Sequence, residues 1–240
     1  MAAAVESAPV PWIAMYHSVG DCSEDPYRIT VTPDRLDRQL TWLRRRGLRG
    51  VSMAALLAAP TRKDLVGLTF DDGYADFLDH ALPVLREHDF GATLFVLPGR
   101  LGGDNAWDPL GPRKPLLGAD GLRRACEAGV EIGSHGLTHI DLTKADDLRL
   151  KAEVVESRAA LEELTGAPVK GFCYPYGTLD QRAVDAVREA GYAYACAIDP
   201  GPLTGPYALP RLHIGQNDTA VRLFLKHRLH RLRRRPVEGI

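Results

Sequence analysis

A chain of 240 residues, 45% hydrophobic and 25% charged, can bury a substantial core without cross-links and has the composition of one globular domain spanning 1–240. With 30 Lys and Arg against 31 Asp and Glu, the formal net charge is -1, which excludes an overall electrostatic case for nucleic-acid binding. No stretch is apolar and long enough to cross a bilayer as a helix.

Pattern and punctuation predict a strand over 11–16, then a polar loop, then a helix opened by Thr32-Pro33-Asp34 and closed at Gly47. A short strand over 48–51 and a brief helix capped by Ser52 follow. The apolar run 65–70 reads as a buried strand. Leu78, Leu82 and Leu85 mark a helix, and 92–97 a strand. The Gly- and Pro-rich segment 98–115 is expected to be a long functional loop. Helices are predicted over 120–128, 145–164 and 180–190, and strands over 130–134, 169–173, 192–198 and 209–214. A last helix begins near Asp218, and 218–240 forms a basic C-terminal helix and tail. Alternation of strand and helix without internal repeats predicts an α/β fold: a distorted (β/α) barrel with about seven to eight parallel strands. In such barrels the chemistry sits at the C-terminal strand ends.

Four motifs fall at predicted strand ends. Thr69-Phe70-Asp71-Asp72-Gly73 places two adjacent carboxylates where a strand ends. Alone it reads as a solvated turn or a helix cap. As a repelling pair it calls for a cation, with one acid as ligand and the other free to act as a base. Ser134-His135-Gly136-Leu137-Thr138-His139 carries two imidazoles four residues apart. With Asp72, His135 and His139 make a set of one carboxylate and two imidazoles that leaves metal positions open for water and substrate. Phe172-Cys173-Tyr174-Pro175-Tyr176-Gly177 offers a stiff aromatic wall or a structural turn. Leu209-Pro210-Arg211-Leu212-His213 offers a titratable imidazole on the last strand.

The order of these motifs, with Tyr16-His17-Ser18-Val19 at the start, resembles the polysaccharide deacetylases of NodB-homology type (carbohydrate esterase family four). The resemblance implies a metal-dependent hydrolase that removes an N-acetyl group from an N-acetylated amino sugar, in an oligosaccharide or a sugar conjugate. It implies Asp72, His135 and His139 as ligands of a divalent ion, Zn2+ first and Co2+ or Ni2+ as alternates. It also implies Asp71 as general base, His213 as general acid and the Tyr176 backbone N–H as oxyanion donor. N-deformylation of an amino sugar and a catalytically inactive carbohydrate-binding relative are the alternatives.

One departure is Cys173, where many members carry the arginine that orients the catalytic acid. Arg211 is the candidate replacement, or else a surface charge. His17, Tyr174, Pro175 and Trp107 are expected to line the substrate site, with Trp107 as a platform for a sugar ring. Cys22, Cys126, Cys173 and Cys196 show no CxxC spacing, so reduced and mostly buried thiols are expected. Residues 1–10 show no export signal, which points to a cytoplasmic protein, or to a secreted one whose export segment has been removed. Lys226, Arg228, Arg231 and Arg233–Arg235 make the C-terminus basic. A solvated helix face is expected there, with weak contact to an anionic membrane as the alternative.

Overall fold

The computed structural model describes residues 11–198 and 203–232. The strands are β1 (Trp12–Tyr16), β2 (Ser18–Val19), β3 (Thr30–Val31), β4 (Arg49–Val51), β5 (Leu65–Phe70), β6 (Thr93–Val96), β7 (Glu131–Ser134), β8 (Gly171–Cys173), β9 (Tyr194–Ile198) and β10 (Leu209–His213). The helices are α1 (Pro33–Arg45), α2 (Met53–Ala58), α3 (Leu82–Glu87), α4 (Ala119–Glu127), α5 (Asp147–Thr165), α6 (Gln181–Glu189) and α7 (Ala220–Leu232). Residues 233–240, the expected tail, lie outside the described part.

Parallel pairing runs β1-β10-β9-β8-β7-β6-β5, and β5 returns to β1, which closes a seven-stranded barrel. The eighth strand, β4, shares one edge of β5 with β6. It pairs with Leu65, Val66 and Gly67, and β6 with Thr69 and Phe70. Period-2 alternation divides the buried apolar side chains into two clusters. Trp12, Ala14, Leu94, Val96, Phe172 and Ala195 face the helices. Ile13, Phe95, Cys173, Tyr194 and Cys196 point the other way and pack with Met53 and Leu56 of α2.

Local sequence explains the helix ends. Thr32 Oγ1 caps α1 by accepting from the Arg35 N–H, with Pro33 at the first helical position. Asp146 and Asp180 cap α5 and α6 in the same way. Gly166 ends α5 at φ 65°, a left-handed position that a side chain disfavours. Two expectations need correction. The helix over 78–85 is not regular: Phe77–Ala81 is a π turn leading into α3. Pro83 has no N–H to donate and its ring crowds the carbonyl four residues back, which the wider turn relieves. The polar loop after β1 also pairs with itself, β2 on β3. Of the four thiols, only Cys173 and Cys196 are buried, and Cys22 and Cys126 are half-exposed.

Among the described residues no helix is long and apolar enough to cross a membrane. Part of the basic C-terminal helix is turned to the protein. Lys226 Nζ donates to the His213 carbonyl and to Asp218 Oδ2, both at 2.6 Å, and the His227 ring stacks on Trp12.

Candidate metal and catalytic site

The C-terminal ends of β1, β5, β7, β8 and β10 converge on one cleft of about 190 Å³, whose wall includes His17, Asp71, Asp72, His135, His139 and Arg211. Asp71 and Asp72 follow β5 directly. Asp72 stands at φ 72°, and this left-handed step turns its side chain away from the strand's alternation. The two acids, 2% and 3% exposed, therefore acquire different partners.

Asp71 is held by Arg211. Nη1 donates to Oδ1 and Nη2 to Oδ2, each at 2.7 Å, in a fork-to-carboxylate pair. Arg211 Nε donates to the Ala197 carbonyl, Nη1 also to Thr69 Oγ1, and Nη2 also to Cys173 Sγ at 2.9 Å. Arg211 is thus a buried partner of the acid, not a surface charge, and the small Cys173 leaves room for the guanidinium to arrive from β10. Burial pushes the Asp71 carboxyl up, but the Arg211 guanidinium, with His135 and His17 nearby, outweighs it and holds the group below its ordinary range.

Asp72 has no such match. Its Oδ1 lies 3.3 Å from both His135 Nε2 and His139 Nε2, yet among the described residues this buried oxygen accepts no hydrogen bond. His135 Nδ1 lies 2.9 Å from the Cys173 carbonyl, which can only accept, so Nδ1 carries the proton. Burial pushes His135 down, but Cys173, Asp72 and Asp71 nearby outweigh it and hold the ring well above its usual range, so a proton on Nε2 faces the Asp72 carboxylate. Burial raises the cost of ionising Asp72, but the two imidazoles outweigh it and hold the carboxyl well below its usual range. Burial pushes His139 down, towards its neutral form. A proton on His135 would serve one of the two contacts, whereas a divalent cation would serve both. The trio fits such an ion, because the three ligand atoms lie within 4.8 Å of one another and are of the type catalytic zinc takes. Asp71, His135 and Cys173 also bring ligand-type atoms together, but Arg211 already supplies a cation there.

The long loop over 98–118 crosses the cleft beside His139. Trp107 stacks on the His139 ring at 4.4 Å, and Tyr176 meets the same ring edge-on at 4.5 Å. Trp107 lines the cleft and spends one ring face on His139. Next to it, Asp108 is pushed up to about 6 by burial and by the Asp72 charge. Asp108 carries no motif in the sequence and stands out there only with Trp107, as part of a loop that could hold a sugar. Tyr174 and Tyr176 line the cleft, Tyr176 at φ 58° and 50% exposed. Pro175 is buried and does not belong to the cleft wall.

His213 lies beside the cleft, next to His17. It is not part of the cleft wall. Its ring stands edge-on to His17 at 6.1 Å, and its Nε2 is buried without a partner. Burial, with His17 and Lys226 nearby, pushes it down to about 4. Besides His135 and His139, His17 faces the site, with its Nε2 3.9 Å from Asp71 Oδ2.

The sequence profile described as Polysaccharide deacetylase matches residues 58–195, a span that takes in both acids, both histidines and the Tyr174–Gly177 turn. The protein YxkH of Bacillus subtilis (strain 168) is 24% identical over 210 residues, covering 84% of this chain and 70% of its own length. The poly-beta-1,6-N-acetyl-D-glucosamine N-deacetylase of Staphylococcus aureus (strain MSSA476) is 20% identical over 211 residues, 81% of this chain and 71% of that protein. Among solved structures, the Streptococcus pyogenes deacetylase PplD in complex with acetate superposes with a TM-score of 0.74 at 24% identity, covering 91% of this chain and 98% of that one. At that identity the likeness carries the barrel, while the profile match, more than half the chain long and centred on the paired acids and histidines, carries the kinship: this chain belongs to the polysaccharide deacetylase family.

Proposed function

We propose that the chain is a metal-dependent carbohydrate N-deacetylase that hydrolyses the N-acetyl group of an N-acetylated amino sugar. The observation that carries this is the buried, unmatched Asp72 Oδ1 between two imidazole nitrogens, with a second, fully oriented carboxylate beside it. Asp72, His135 and His139 would hold the divalent ion, Zn2+ being the first candidate for one carboxylate and two imidazoles. When bound, such an ion polarises an amide carbonyl and makes water a usable nucleophile near neutral pH.

The chain's own groups do the rest. Asp71 takes the proton from the attacking water. Arg211 fixes both of its oxygens and keeps it ionised, which makes it ready to accept but a weaker base, so the water must be acidified in the site. Tyr176, at the cleft rim, is assigned the oxyanion contact through its backbone N–H. His17 gives a proton to the departing amine, the role expected of His213, because His17 is the imidazole of the cleft wall that is not assigned to the ion. The cleft is smaller than the roughly 300–1,000 Å³ of sites that enclose a drug-sized ligand. It suits the acetamido end of one sugar unit, with the remainder of the substrate outside.

Metal-loaded protein given a panel of N-acetyl and N-formyl amino sugars, free and linked, should release acetate. Asp71→Asn should keep its metal and lose about 10²–10⁴-fold in kcat. Full activity in that variant, or no turnover of any N-acyl amino sugar by the loaded protein, overturns the proposal.

A further inference from the structure

The two candidate metal histidines are separated by three residues, in a segment with two left-handed backbone positions. Gly136 stands at φ 82° and His139 at φ 65°. What grips this loop is a side chain from another element. Glu153, in the middle of α5, is 0% exposed. Its Oε2 accepts the backbone N–H of Leu137 at 2.6 Å and of Thr138 at 2.9 Å. Its Oε1 accepts from Thr138 Oγ1 and from Arg149 Nη2, the latter at 2.7 Å. All four partners are donors, so the carboxylate form is the one that fits.

The opposite face of the same peptide is held as well, since the Gly99 N–H donates to the Leu137 carbonyl at 3.0 Å. Space around the clamp is tight. A Cβ on Gly136 would come 3.1 Å from Glu153 Oε2, and one on Gly99 would come 2.6 Å from the Leu137 oxygen. Glu153 also breaks the pattern of its helix, for it lies on the buried stripe with Leu150, Val154, Ser157 and Leu161. A buried carboxylate in such a place is costly unless its oxygens are engaged.

We infer that Glu153 is a positioning residue for the metal site: by clamping the Leu137–Thr138 backbone it sets the separation and aim of His135 and His139. This rests on the proposal that those histidines and Asp72 hold a divalent ion. Groups that orient metal ligands from behind typically change affinity by about 10–100-fold when altered. Glu153→Gln keeps the shape but offers an amide where only acceptors fit.

The test measures Co2+ affinity of the full chain by visible absorption in competition with a chelator, alongside urea unfolding. Glu153→Gln should weaken Co2+ binding by about 10–100-fold. Leu161→Ala, a core truncation on the same helix, should lose stability and keep wild-type affinity. Arg149→Met, at a half-exposed position, should weaken Co2+ binding in the same direction, and it decides the matter should Glu153→Gln not fold. Wild-type affinity in both folded variants, or an equal loss in Leu161→Ala, overturns the role of Glu153 and leaves the metal site standing. A wild-type chain that takes up no Co2+ overturns both.

Discussion

The two mouths of the barrel each hold a sheltered carboxylate, and they treat it in opposite ways. At the N-terminal mouth, Glu131 opens β7 and every contact it makes is a donor. Ala54 N–H and Thr93 Oγ1 donate to Oε2 at 2.8 and 2.7 Å, and Tyr194 O–H donates to Oε1 at 2.8 Å. Met53 N–H donates to Thr93 Oγ1 in turn, so α2 is fastened across this end as a lid. At the C-terminal mouth, the buried Asp72 Oδ1 has no hydrogen-bond donor among the described residues and faces two ring nitrogens, each at 3.3 Å. Buried polar atoms are satisfied as a rule, and an exception asks for an explanation. The difference separates an acid that holds the fold together from one that, on the proposed function, waits for a cation.

The largest effect expected from this contrast is at Arg211. Asp71 is buried, and among the described residues its cationic side-chain hydrogen-bond partners are the two Nη atoms of Arg211. Arg211→Met removes them and leaves an unpaired buried charge, which typically costs about 3–5 kcal/mol. Urea unfolding at pH 7 should show that loss, and adding Asp71→Asn to the variant should recover much of it. A single variant as stable as wild type would mean that the pair is not what keeps Asp71 in place.

Next in size is the response of the same mouth to acid. His213 is pushed from 6.5 to about 4 by burial, His17 and Lys226. Its folded pKa lies below its unfolded one, so the unfolded chain binds the proton first as pH falls. The stability tied to neutral His213 is complete above about pH 6.5 and is lost towards pH 4, amounting to about 3 kcal/mol. His213→Gln cannot titrate. Its unfolding midpoint should fall less than that of wild type between pH 7 and pH 4.5, and parallel curves would remove His213 from the account.

Much of this mouth was legible in the sequence, for physical reasons that differ by residue. Asp71, Asp72, His135 and His139 stood out because paired acids and paired imidazoles directly after apolar strands are hard to explain as core or as solvent-facing turns. The alternation of strand and helix implied the barrel, because a parallel strand needs a crossover. The closure of β5 on β1 and the sharing of one β5 edge by β4 and β6 were not legible, since both depend on register between distant segments. His17 and His213 could not be ranked by sequence, as both end strands beside each other and only the side-chain direction separates them. Trp107 was noticed for its ring, but its stacking on His139 depends on the path of a long loop. Glu153 went unseen because a Glu in a helix is ordinary. Only its place on the buried stripe of α5 is unusual, and that stripe is weakly marked in sequence.

The smallest expected effect is at the opposite mouth, and it tests the contrast itself. Glu131→Gln preserves shape but turns an amide towards donors that now lack an acceptor. One or more of the Ala54 N–H, Thr93 O–H and Tyr194 O–H groups is left unmatched, at a cost of about 1–3 kcal/mol. That loss should appear in the urea midpoint. The kcat of the folded enzyme and its Co2+ affinity should stay at wild-type values, because none of the Glu131 contacts touches a group in the cleft wall. A fall in kcat without a fall in stability would show that strain passes along β7 from Glu131 to Ser134 and on to His135. The two mouths would then be coupled through one short strand, and the division between a holding acid and a waiting acid would fail.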